Sequence, residues 1–259
     1  MSNRVFIYHH LGLGDHFHCN GVVRYLLEES YKNQEVKIFT KKKYAEMIRF
    51  MYKDLKNLEI IPVTNNEKNE LNEVNSHIKP GDKLEKIGFE YFIKNKNKDK
   101  TIDMLFYEQF NIEYSQRFKL TFWKRDNNEE NKLFYKLVKN ENYIFVDDDA
   151  KRNFTIPEKY LAKNFQIIRN SSDYSIFDYG KIIENAKEIH VMESSIRCML
   201  EYLNTDKTKL YLYKFKNDNR GSIPFYNKKD EMIGSSKKWQ IINVNFDVNK
   251  SFLKKIFNF

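Results

Sequence analysis

Hydrophobic positions along the chain fall into short continuous runs, separated by longer stretches in which apolar residues recur every three or four positions. Residues 5–8 read Val-Phe-Ile-Tyr before a glycine turn, a run that suits a strand buried on both faces. From 15 to 31, Phe17, Val22, Val23, Leu26 and Leu27 supply the apolar face of a predicted helix. A second strand is predicted at 36–39, a helix at 44–52, and a third strand at 58–63 with Pro62 near its end. Strands alternating with helices predict a parallel sheet with right-handed crossovers.

The pattern loosens between 65 and 100, where Asn and Lys dominate, and reads as a long surface excursion around a turn at 79–83. An aromatic-rich stretch at 104–123 reads as helical, and the charged segment 124–131 as a linker. A second alternation follows, with strands at 143–146, 165–168, 189–192 and 210–213 and helices at 176–185 and 195–203. Near the end, Phe252, Leu253, Ile256 and Phe257 form an apolar helical stripe within 248–257. The expectation is an α/β chain of two small Rossmann-like domains with parallel sheets, 1–125 and 126–259, without a detectable internal repeat.

Composition adds limits. The chain has 259 residues and a formal net charge of +9, but its Lys residues are scattered among Asn, Asp and Glu. With neither an arginine-rich tract nor an RNA-recognition signature, nucleic acid is not the expected partner. An anionic small molecule or a membrane surface remains as a counterpart for the charge. Cys19 and Cys198 make neither a disulfide framework nor a zinc site, which fits a reducing compartment. No apolar run approaches the roughly 20 residues of a membrane span, and no signal peptide is evident. A cytoplasmic place is expected, with peripheral contact at the inner face of a membrane left open.

The strongest local signal is Gly12-Leu13-Gly14-Asp15 between the first strand and the first helix. A dinucleotide fingerprint would need a third glycine where Phe17 stands, and an acidic end to the second strand, where Thr40 and Lys41 stand. A P-loop would need a lysine that this turn lacks. What remains is a turn presenting Asp15 at the carboxyl end of a sheet, either as a plain helix N-cap or as a functional carboxylate. Glu193-Ser194-Ser195 stands between a later strand and helix, where hydroxyls and free N–H groups suit a diphosphate and serine also suits an N-cap. Asp147-Asp148-Asp149-Ala150-Lys151-Arg152 follows another strand. Its basic residues suit phosphate, its carboxylates a divalent cation, and the whole also suits a solvated turn.

The strand–Gly-Leu-Gly-Asp–helix start, with the segment from 182 to 203, resembles the heptosyltransferase-like GT-B glycosyltransferases of bacterial surface-polysaccharide synthesis. That resemblance implies a nucleotide-sugar donor, a glycan or glycolipid acceptor, and no metal or other cofactor. It implies Asp15 as catalytic base, in a turn whose Gly12 and Gly14 help bind the nucleotide-sugar donor. The donor diphosphate would lie at Glu193, Ser194 and Ser195, assisted by Lys151 or Arg152.

Four histidines, His9, His10, His16 and His18, crowd the first loop and helix; hydrogen bonding to acceptor or phosphate by His16 and His18 is preferred to a metal site. Gln109 and Arg117 are cleft candidates, and Tyr114 a packing residue. Alternatives are a metal-dependent GT-A-type transferase using Asp147 and Asp149, a sugar-nucleotide epimerase, and a non-catalytic nucleotide-sugar or nucleic-acid binding protein.

Overall fold

The computed structural model describes residues 4–97, 99–149, 152, 154–215 and 234–244. They build two all-parallel sheets. The first has four strands in the order β3-β2-β1-β4, formed by β1 (Val5–Tyr8), β2 (Val36–Lys41), β3 (Leu58–Val63) and β4 (Lys83–Lys86). The second has five strands in the order β6-β5-β7-β8-β9: β5 (Tyr143–Val146), β6 (Gln166–Arg169), β7 (Glu188–Met192), β8 (Lys209–Phe215) and β9 (Trp239–Val244). Every residue of β1, β5 and β7 is buried. Helices on both faces of a parallel sheet demand that, which is why these strands read as continuous apolar runs.

The helices are α1 (Leu13–Tyr25), α2 (Ala45–Met51), α3 (Glu67–His77), α4 (Phe89–Asn95), α5 (Ile102–Glu108), α6 (Arg117–Leu120), α7 (Asn127–Leu137), α8 (Gly180–Asn185) and α9 (Ser195–Leu200). Helix α1 is buried almost all round, from Leu13 to Arg24, and ends in a π-helical turn, Leu26–Ser30. It packs against α5, α6 and α9. Gly21 makes the approach of α5 and α6 possible, since a Cβ there would stand 3.0 Å from Leu120 and closer still to the Tyr107 hydroxyl.

Three expectations are corrected. The stretch 65–100 is not a loose excursion: it carries α3, β4 and α4. Asn66 caps α3 by accepting from the Lys68 N–H at 3.0 Å. The signal was weak because β4 is an edge strand with a polar sequence and α3 buries a single apolar side chain, Val74. The aromatic stretch 104–123 is not one helix. It breaks at Asn111, whose φ of 54° ends α5, and resumes as a 3₁₀ turn and α6. The charged segment 124–131 is not an irregular linker, because Asp126 caps α7 through the N–H groups of Asn128 and Glu129 at 3.1 and 3.2 Å. The predicted helix at 248–257 lies outside the described residues.

One buried apolar cluster runs through both halves of the chain, from Ile7, Phe17 and Ile38 to Phe145, Ile189 and Leu200. Phe177, before α8, joins the two halves within it, with ring centroids 5.6 Å from Phe17, 4.7 Å from Phe50 and 5.9 Å from Trp123. Among the described residues no helix is long and apolar enough to cross a membrane.

Candidate active site

Ligands of open α/β sheets settle at the carboxyl ends of the strands, where the strand order switches direction. In the first sheet that switch lies between β1 and β4, and in the second between β5 and β7. The candidate residues cluster at these two places.

At the first, His10 stacks on Phe89 with ring centroids 4.6 Å apart. It also lies against Gly88, whose φ of +91° favours glycine and where a Cβ would stand 2.7 Å from Phe106. Gln109 holds this turn in place: its amide donates to the Lys86 carbonyl at 2.7 Å, and its oxygen accepts from the Gly88 N–H at 2.9 Å. The side chain is therefore committed to the wall behind His10.

Gly12, not Asp15, is the N-cap of α1. Asp15 stands three residues further on, and its carboxylate accepts a hydrogen bond from the Gly12 backbone, the return arm of a capping box. That carboxylate fills the space a Gly12 side chain would need, since a Cβ would lie 2.5 Å from Oδ2. Burial raises Asp15 above its ordinary value, against the opposing pull of His18, His10, the Gly12 N–H and Lys41.

His9 and His16 are fully buried and meet edge to face, centroids 4.3 Å apart. His9 Nδ1 donates to the His10 carbonyl at 2.6 Å. Burial lowers His9 to about 4 and His16 well below its ordinary value, so both rings are neutral near pH 7 and cannot serve phosphate as cations. His18 lies deeper, between Asp103 on α5 and Cys198 on α9. Burial works against its charge, but Cys198 and Asp103 outweigh that and push it up to about 10. Arg117 is buried behind His18: its guanidinium donates to Asp103 Oδ2 at 2.9 Å and to the Gly234 carbonyl.

At the second switch, Asp147 follows β5 and is buried. Ser194 donates to Asp147 Oδ2, and Asn170 donates to its Oδ1 at 2.6 Å. The Ser194 oxygen also accepts from the Arg197 N–H at 3.1 Å, so one hydroxyl caps α9 and pins it to β5. Ser195 opens α9, and Glu193 accepts from Arg197 Nε at 3.2 Å. Asp148 accepts from Arg169 and from the Ile156 N–H at 2.8 Å. Asp149 accepts from Arg152 Nε at 2.6 Å. Each carboxylate of the triplet thus serves different donors, and among the described residues no group of three or more His, Cys, Asp or Glu could hold a metal ion. Arg152 is exposed, and Lys151 lies outside the described residues.

The two switch regions meet through Gly14. A Cβ there would stand 3.1 Å from Cys198 Sγ and 3.9 Å from Ser195 Cα, so the missing side chain lets the first turns of α1 and α9 touch. Sequence reasoning missed Asn170, Asp103 and the site role of Cys198. Only Asn170 carried a signal, its place just after a strand.

Two parallel sheets with these helices form the GT-B architecture of two Rossmann-like halves. The fold is that of the crystal structure of a glycosyl transferase family 9 protein from Veillonella parvula DSM 2008, with TM-score 0.53 and 8% identity, covering 98% of this chain and 91% of that one. ADP-heptose lps heptosyltransferase II of E. coli is similar at TM-score 0.47 and 10% identity, over 93% of this chain and 90% of its own. E. coli heptosyltransferase WaaC, solved with ADP, follows at TM-score 0.44 and 9% identity, with 97% of each chain covered. No protein-family profile matches the sequence, and no curated protein matches it.

Proposed function

We propose that the chain is a nucleotide-sugar-dependent glycosyltransferase with Asp15 as its base. One observation carries the reading: the turn that holds Asp15 touches the turn of Ser194 and Ser195 through Gly14. A carboxylate of raised pKa at the end of one sheet thereby adjoins a capped serine turn at the end of the other. Residues 1–125 form the acceptor side and 126–259 the donor side in this reading.

The donor diphosphate lies near Ser194 and Ser195, whose turn the Asp147 and Asn170 bonds keep rigid. Arg152 and Lys151 supply positive charge, Arg152 after release from Asp149. Asp15 takes the proton of an acceptor hydroxyl as its oxygen bonds to the anomeric carbon and the bond to the diphosphate breaks. A base must first lie within hydrogen-bond reach of that hydroxyl. Fixed dipoles and cations then stabilise the leaving diphosphate. The acceptor is a glycan or glycolipid hydroxyl, met in the cytoplasm or at the inner face of a membrane.

The metal-dependent reading is less favoured, because the Asp147 and Asp149 oxygens already accept from Ser194, Asn170 and Arg152. A thermal-shift screen of UDP-, GDP-, ADP-, CMP- and dTDP-sugars, with and without EDTA, tests the donor assignment. A nucleotide-specific shift that survives EDTA is expected, and transfer by the same donor should be abolished in Asp15→Asn. No shift with any donor, or full activity in Asp15→Asn, would overturn the respective claim.

A further inference from the structure

The ring of His18 has a polar neighbour at each nitrogen. Asp103 Oδ2 lies 3.5 Å from Nδ1, and Cys198 Sγ lies 3.3 Å from Nε2. A neutral imidazole carries one N–H, whereas the cation has an N–H toward Cys198 and a positive charge beside the Asp103 carboxylate. Asp103 is itself fixed, accepting from Thr101, from the Tyr114 hydroxyl at 2.6 Å and from Arg117 at 2.9 Å. Asp15 stands three residues before His18 on α1, so the two side chains share a face one turn apart.

We propose that His18 is a positioning residue for Asp15: Asp103 and Cys198 hold its ring as a cation whose charge keeps the Asp15 carboxylate ionised. This role rests on the transferase reading only where activity is the readout. The groups around His18 and Asp15 are His10 and Lys41, Asp103 on α5, Tyr114 before α6, Arg117 at the start of α6, and Cys198, Arg197 and Glu201 on or next to α9. Arg117 and Arg197 oppose the cation, while Asp103, Glu201 and Asp15 favour it. Because Cys198 comes from the second half of the chain, seating α9 against α1 completes the pair of neighbours. The base is then fully set only when the two helices touch.

Long-range ¹H–¹⁵N NMR of the imidazole rings in the whole protein tests this, with His18 assigned by the resonance lost in His18→Gln. His18 should remain doubly protonated at pH 8, where an ordinary histidine of pKa about 6.5 is neutral. Cys198→Ser should move its titration toward that ordinary value. In His18→Gln the Asp15 carboxyl, followed by ¹³C NMR, should titrate higher by on the order of one pH unit. The acid limb of the kcat/KM profile should rise with it. A neutral His18 at pH 7 would overturn the proposal. So would a cationic His18 whose removal leaves the Asp15 titration in place. Absence of transferase activity would count against the functional reading alone, since the NMR titrations need none.

Discussion

Gly14 on α1 lies against Cys198 on α9, so close that a Cβ at Gly14 would stand 3.1 Å from the sulfur. An alanine there gains helix propensity worth up to about 1 kcal/mol but crowds the sulfur. Gly14→Ala should therefore change stability little, while the branched Gly14→Val, which also nears the Ser195 backbone, should cost about 1–3 kcal/mol. Urea denaturation of these variants, alone and with Cys198→Ala, checks it. A double variant in which Cys198→Ala restores most of the Gly14→Val loss would locate the strain at this contact.

The neighbouring glycine serves the carboxylate rather than the helix contact. A Cβ at Gly12 would stand 2.5 Å from Asp15 Oδ2, so Gly12→Ala should push the carboxylate aside without displacing the helix. Misplacing a catalytic group by about 1 Å costs about 100-fold in rate. The expected outcome is a kcat lowered by that order, near-native melting and a nearly unchanged donor KM. Unaltered kcat in Gly12→Ala would argue against Asp15 as base.

Ser194 has two tasks, and its removal should cost both. Ser194→Ala deletes the cap of α9 and removes one hydrogen bond to Asp147, a residue only 3% exposed. Caps contribute about 1 kcal/mol, and a hydrogen bond to a buried carboxylate about 1–3 kcal/mol. The variant should lose about 2–4 kcal/mol by urea denaturation. It should also show a raised donor KM. Ser194→Thr, which keeps the hydroxyl, should recover most of the stability.

How much of this could be read from the sequence depended on where each element sits. β1, β5 and β7 are buried on both faces, so their apolar runs stood out. β4 closes its sheet, and its polar residues hid it among loops. The charged run before α7 resembled a linker because Arg125 pairs with Glu130 and with Glu184, a partner that only the folded chain brings near. Asp15 was visible through its glycine turn, although its place at the third helical position rather than the cap needed the structure. The contact of His18 with Cys198 spans 180 residues and left no local trace. Burial likewise separates His16 and Arg117 from the open face of the turn, a property that neither residue type announces.

The buried histidines set the pH range of stability. His9, lowered to about 4, and His16, lowered well below its ordinary value, are neutral in the folded chain, while unfolded histidines take up protons below about 6.5. The unfolded state then binds more protons, so stability falls as pH drops from about 6.5 through about 4, by on the order of 3 kcal/mol for His9 alone. His18 acts in the opposite sense. Raised to about 10, it contributes stability that is fully present below about 6.5 and is lost as pH climbs through about 10. Chemical denaturation across pH 4.5–10 should therefore show a maximum near 6.5, flanked by an acid and an alkaline decline. His9→Gln should flatten the acid side and His18→Gln the alkaline side. An alkaline side that stays steep in His18→Gln would mean that its charge contributes nothing to holding α9 on α1.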